Sequence, residues 1–178
     1  MNFNFSRRAA TALLAGAFFA TPIFAEGTSE ETSAEEGPKV IEVQMLNKHP
    51  ETGQAMSFFP RVIEANVGDT IKFLNSDKGH NAAANKKMLP EGVEAFKGKI
   101  NKEVEIVVEK AGFYGVECTP HRTVGMVALI VVEGEGKMDN LEDAMGAKHS
   151  GKAKKSWAEI WEEAEEKGLL SASEETAS

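Results

Sequence analysis

An all-β domain, a sandwich or a barrel, followed by a pair of C-terminal helices, is the fold class this sequence predicts. Two observations carry it. Between residues 40 and 132, short apolar runs recur at strand spacing with turn chemistry between them, which favours stacked or closed strands over a βαβ fold. After Gly136 the pattern changes, and Trp157, Ile160, Trp161 and Ala164 recur at helical spacing.

Residues 1–25 read as an address rather than as structure. Arg7 and Arg8 give a positive start, the run 9–20 is short and apolar, and small Ala25 precedes Glu26, the pattern of a cleaved signal peptide. Gly16 and Pro22 break a run that falls short of the ~20 residues needed to cross a bilayer, so export without a membrane anchor is expected. Arg7-Arg8 leaves twin-arginine export open beside general secretion. The arm 26–38 and the tail 171–178 are acidic, rich in Ser and Thr and nearly free of large apolar residues. Neither can offset its ordering entropy by burial, and both are expected to be disordered. One domain over 39–170 remains.

Its strands begin at 40–46, where Ile41, Val43 and Met45 alternate with Glu42 and Gln44. Phe58 and Phe59 precede Pro60, which confines that segment to a sheet edge or a strand start. Val67-Gly68-Asp69 makes a turn, and 70–74 follows as a strand with Ile71 and Phe73 on one face. Residues 75–79 are turn chemistry. From there to 100, Pro90, Gly92 and Gly98 predict a long ordered loop with a helical turn near 93–96. Strands resume at 104–108, 113–118 and 126–132, the first two separated by a turn at Lys110-Ala111-Gly112. Asp139 with Glu142 three residues on marks a helix start, with Leu141, Ala144 and Met145 on one face. A second helix covers 153–167. Its tryptophan face, opposed by Glu159, Glu162, Glu163, Glu165 and Glu166, is expected to pack on the sheets, and Gly168 supplies the stop.

The formal charge is −8. Removing the two signal arginines and the seven carboxylates of the arm and tail leaves a folded part near −3. An acidic balance argues against nucleic acid as the partner. The single cysteine is more informative, because exported proteins ordinarily use cysteines in pairs. That leaves an intermolecular bridge, an inert buried thiol or a function for the thiolate.

The neighbours of Cys118 decide between these. In Cys118-Thr119-Pro120-His121-Arg122-Thr123-Val124-Gly125-Met126, a thiolate, an imidazole and a thioether stand at offsets of zero, three and eight. Such soft and borderline donors suit copper, and two histidines, a cysteine and a weak axial methionine make a blue-copper electron-transfer site. His80, in a Gly-His-Asn turn just past the 70–74 strand, supplies the second histidine. Pro120 and Gly125 let the loop fold its donors toward one point. Read singly, each donor has a plain alternative as a core or surface residue; it is the combination that points to copper. His49 and His149 sit among polar neighbours and read as surface residues.

At these residues the chain resembles the pseudoazurins, a group within the cupredoxins. The resemblance lies in Val43-Gln44-Met45-Leu46-Asn47-Lys48, Gly68-Asp69-Thr70, Asp77-Lys78-Gly79-His80-Asn81, Glu94-Ala95-Phe96-Lys97 and Gly115-Val116-Glu117-Cys118-Thr119-Pro120-His121. It covers roughly 40–170, including the two helices. It implies a Greek-key β-sandwich, cupredoxin-like, and one copper ion per chain, while the donor set itself argues for electron transfer rather than enzymatic activity. It also implies single-electron shuttling in the periplasm to nitrite reductase or nitrous oxide reductase during denitrification, with a cytochrome as a donor. Asn81 is the candidate that ties the two ligand loops together by hydrogen bonds. Gln44, Arg122, Thr123 and Val124 depart from the residues common in that group, and they alter the surface beside His121 rather than the donors.

Two rival functions remain. A copper enzyme would need a second, histidine-rich site, for which only His49 and His149 are left; a copper store would favour open, exchangeable ligation. Charge placement suggests the partner. Between 72 and 102, seven lysines face three carboxylates, a +4 segment that contains His80. Lys78, Lys86, Lys87, Lys97 and Lys99, joined by Lys48, are expected to rim the electron exit at His121. There they would steer an acidic redox protein toward a chain expected to act as a monomer.

Overall fold

Alternation places Val43 and Met45 in the core and Glu42 and Gln44 at the surface of the first strand, β1 (Val40–Lys48). The computed structural model describes residues 37–172, so the expected signal peptide and most of both acidic arms lie outside the described residues. Seven more strands follow: β2 (Ala55–Phe59), β3 (Val62–Asn66), β4 (Thr70–Leu74), β5 (Ala83–Ala84), β6 (Val104–Val107), β7 (Gly112–Glu117) and β8 (Val127–Glu133). The helices are α1 (Leu141–Gly146) and α2 (Ala153–Glu166). The strands form two four-stranded sheets, ordered β2-β1-β4-β6 and β3-β8-β7-β5, and the all-β sandwich with two C-terminal helices is the architecture the sequence predicts.

Two pairings prepare the functional end. β1 and β4 run parallel, from Val40 beside Thr70 to Gln44 beside Leu74, so the residues after both strands emerge together. β7 and β8 run antiparallel, from Gly112 beside Val132 to Glu117 beside Val127. Cys118 and Met126 each lie one residue past that last pair, and the Cys118 N–H donates to the Met126 carbonyl at 3.0 Å.

One buried cluster fills the space between the sheets, with Val43, Met45, Phe58, Ile71, Phe73, Val116, Ala128 and Ile130. A second lies on the other face of β8, where Val127, Leu129 and Val131 meet Trp157, Ile160 and Ala164 of α2. With both faces covered, β8 reads as an unbroken apolar run rather than an alternation. Arg61 fixes the helix to the sandwich: its Nε lies 2.7 Å from Glu163 and its Nη1 3.3 Å from Glu159. At the sheet edge Lys72 holds Glu105 of β6 at 3.0 Å and the preceding Glu103 at 3.6 Å.

The structure departs from the sequence reading at several places. β3, unmarked by alternation because Val62 and Ile63 are consecutive and both buried, pairs in parallel with β8. Residues 93–96 form no helical turn; Ala84 N–H donates to Phe96 O at 2.9 Å, and Phe96 stacks on Phe73 with centroids 6.2 Å apart. The chain there lies along β5, with Phe96 drawn to the core. The first helix starts later than Asp139, which falls in a 3-10 turn, Lys137–Asn140. Asn140 does not cap α1, because its side chain bonds both the N–H (3.0 Å) and the carbonyl (2.8 Å) of Phe113. Finally, His49 is buried rather than superficial. Its ring meets Phe59 edge-on at 5.1 Å, and Nδ1 accepts from the Glu51 and Thr52 amides at 3.2 and 3.3 Å.

Candidate metal centre

His80 lies in the loop between β4 and β5, and Cys118 follows β7 of the opposite sheet, which pairs with β5, so loops from both sheets deliver an imidazole and a thiol to one end of the sandwich. The chain then turns tightly. His121 N–H donates to Cys118 O at 3.1 Å, a 3-10 turn (Arg122–Val124) follows, and Gly125 ends it in the left-handed region at φ 98°. Met126 N–H returns to His121 O at 3.2 Å. Residues 118–126 thus form a closed loop held by its own backbone.

The donor atoms converge. His80 Nδ1 and His121 Nδ1 lie 3.1 Å apart, and they stand 3.8 and 3.6 Å from Cys118 Sγ. Among the described residues these three form the one group of His, Cys or carboxylate donors able to surround an ion, all within 4.8 Å. Met126, fully buried, lies beside them in the core cluster that also contains Cys118.

The side chains around the donors fix their forms. His80 Nε2 lies 3.0 Å from Asn47 Oδ1, an acceptor, so Nε2 carries the proton and Nδ1 presents its lone pair inward. Asn47 is itself held, its N–H donating to Asp77 Oδ2 at 2.7 Å. Asn81 joins the two loops: Nδ2 donates to Thr119 Oγ1 at 3.1 Å and to Gly98 O at 2.9 Å, while Thr119 N–H donates to Asn81 Oδ1 at 2.8 Å. Burial pushes the Cys118 thiol up, against the lowering effect of the Asn81 and His121 amides. Burial, then the nearby His121, pushes His80 down. Both shifts favour the uncharged thiol and imidazole, and a cation held there would deprotonate the coordinating thiol outright. Buried soft and borderline donors with inward lone pairs fit copper.

Other residues singled out from the sequence fall around this group. His121 is half-buried, and its ring borders a crevice of about 710 Å³ with Met56, Val124, Lys152 and Lys155. Lys86, Lys87 and Lys97 line a separate groove of about 730 Å³ with Arg122, Lys148 and His149. Lys48, Lys78 and Lys99 are exposed, with Lys48 next to Asn47 and Lys78 two residues before His80. His149 is not a free surface residue: it stacks on Trp157, centroids 5.1 Å apart. The sequence reading gave Asn47 no role. Its one signal was the end of an alternating strand that, if parallel to β4, must lie beside the residues after Leu74.

Comparison with known proteins places this geometry. The family model for copper binding proteins of the plastocyanin/azurin family matches residues 43–133. The chain is 50% identical over 113 residues to a pseudoazurin of Paracoccus pantotrophus, covering 64% of this chain and 75% of that protein. It is 41% identical over 139 residues to a pseudoazurin of Methylorubrum extorquens, covering 78% and 86%. Its fold superimposes on a solved pseudoazurin from Sinorhizobium with a TM-score of 0.67 at 43% identity, over 71% of this chain and 97% of that one.

Proposed function

Because the chain belongs to the copper-binding plastocyanin/azurin family and, within it, to the pseudoazurins, we propose that His80, Cys118, His121 and Met126 hold its copper ion. The protein is a copper electron-transfer carrier and not an enzyme. The observation that carries the donor assignment is the convergence of two inward Nδ1 atoms on a buried thiol. Copper bound there supplies a centre that gains and loses one electron. The chain's own residues keep the donors from rearranging: Asn47 holds the His80 ring, Asn81 joins the two loops, and the buried sheets exclude water. The half-buried ring of His121 is the edge through which an electron leaves.

The partner is an acidic redox protein, and the setting is the periplasm, reached after removal of residues 1–25. Nitrite reductase and nitrous oxide reductase are the acceptors that the resemblance suggests, with a cytochrome as donor. Lys86, Lys87, Lys97 and Lys148 support a docking face because, among the described residues, they line one groove and form no ion pair. The exposed Lys48, Lys78 and Lys99 are the further lysines expected to take part in docking. Lys72, committed to Glu103 and Glu105, does not.

Visible absorption and metal analysis of the copper-loaded chain test the donor set. The wild type should be intensely blue with one copper per chain, and Cys118→Ser should be colourless. A Cys118→Ser protein that stays blue overturns the assignment. Met126→Gln should keep its copper and lower the reduction potential, because an axial thioether tunes more than it holds; loss of the metal would remove Met126 from the axial position.

A further inference from the structure

Helix α2 starts against the turn that joins His121 to Met126. The Lys152 N–H donates to Thr123 O at 3.0 Å, and no side chain caps this end of the helix. A carbonyl of the ligand loop therefore satisfies one of the N–H groups that a helix start leaves unpaired. Contact continues one turn on. A Cβ built on Gly125, at the end of the 3-10 turn, would lie 2.4 Å from Ser156 Oγ, and one built on Gly151 would lie 2.6 Å from Thr123 O. Ser156 is buried, Ala153, Trp157 and Ile160 anchor the helix in the second core cluster, and Arg61 holds its middle.

We propose that α2 is a clamp on the ligand-bearing turn, with Gly151 and Ser156 as positioning residues that set where His121 and Met126 present their donor atoms. This rests on the donor assignment above. Backbone approaches this close leave the turn little room to relax, so a displacement at the start of α2 must pass into residues 123–126. Helix and loop then open together rather than independently.

Gly168 provides a matched control. It sits just past the other end of α2 at φ +73°, against +62° at Gly151, but a Cβ there meets nothing within 4 Å. Alanine at either position strains the backbone, and only Gly151→Ala also collides with the ligand loop. Hydrogen exchange in the metal-free chain should be about tenfold faster at the Val124–Val127 amides in Gly151→Ala, and unchanged there in Gly168→Ala. In the copper-loaded chain, Gly151→Ala alone should shift the visible spectrum and the reduction potential. If Gly151→Ala does not fold, Ser156→Val, which puts a branched carbon against Gly125, carries the same expectations. Equal behaviour of the two glycine variants overturns the clamp, and so does faster exchange with an unmoved spectrum. Exchange in the metal-free chain is independent of which residues hold copper, so failure of the clamp and failure of the donor set are read separately.

Discussion

The Nε2 atom of His80 lies 3.0 Å from Oδ1 of Asn47, and this contact between β1 and the loop after β4 decides which face of the imidazole is free. Without the acceptor, the ring can swap its proton to Nδ1 and point a hydrogen at Cys118. Replacing Asn47 by Ala should therefore weaken copper retention by about 10–100-fold, the usual scale for losing the partner of a metal-bound histidine. Competition with a chelator would measure it. Asn47→Asp keeps an acceptor and should lose less; equal losses in the two variants would show that the acceptor is not what matters.

Docking is read by charge. Lys86→Glu and Lys97→Glu should each slow electron transfer to an acidic partner several-fold at low salt, with the difference shrinking as salt screens the groove. Lys72→Gln should leave the rate alone, since that ammonium already serves two glutamates. Stopped-flow rates at several ionic strengths, with the copper spectrum as control, distinguish the cases. A Lys72→Gln effect as large as that of Lys86→Glu would remove the groove as the docking face.

His149 gives the fold a dependence on pH. Burial against Trp157 pushes its pKa below 6.5, so the folded chain resists the proton that the unfolded chain accepts. The resulting stability is fully present above pH 6.5 and is lost as pH falls from that value through the lowered folded one. His149→Phe preserves a ring for the stack and cannot titrate. Thermal unfolding of the metal-free proteins between pH 7.5 and 5.5 should show the wild type losing more stability than the variant; parallel curves would refute it.

Most of the strand pattern and the convergent His80, Cys118 and His121 group were legible in the sequence, and the reasons for the omissions are physical. Cys118, His121 and Met126 are close in the chain, so their spacing could be read directly, and His80 needed only to follow a strand. Asn47 could not be found that way. Its role depends on a parallel pairing between β1 and β4, and pairing partners are not encoded within either strand. β3 was missed for a related reason, since Val62 and Ile63 are both buried, Val62 beneath the helices and Ile63 between the sheets, which erases the period of two. His49 looked superficial because its neighbours are polar, yet those neighbours supply the amides that satisfy its ring. The helix start read at Asp139 falls in a 3-10 turn, and Asn140 after it spends its side chain on Phe113 of β7 rather than on the helix.

β6 lies at the end of its sheet, and an unpaired strand edge is a template on which another chain can add itself. Val107 there is more than half exposed, which would favour such an addition. Glu105 on the strand and Glu103 just before it put negative charge along this edge, and Lys72 holds both in place. A second copy approaching edge to edge would bring like charges together before it gained a hydrogen bond. Lys72 is thus lost to partner recruitment and instead orders the two glutamates that guard this edge.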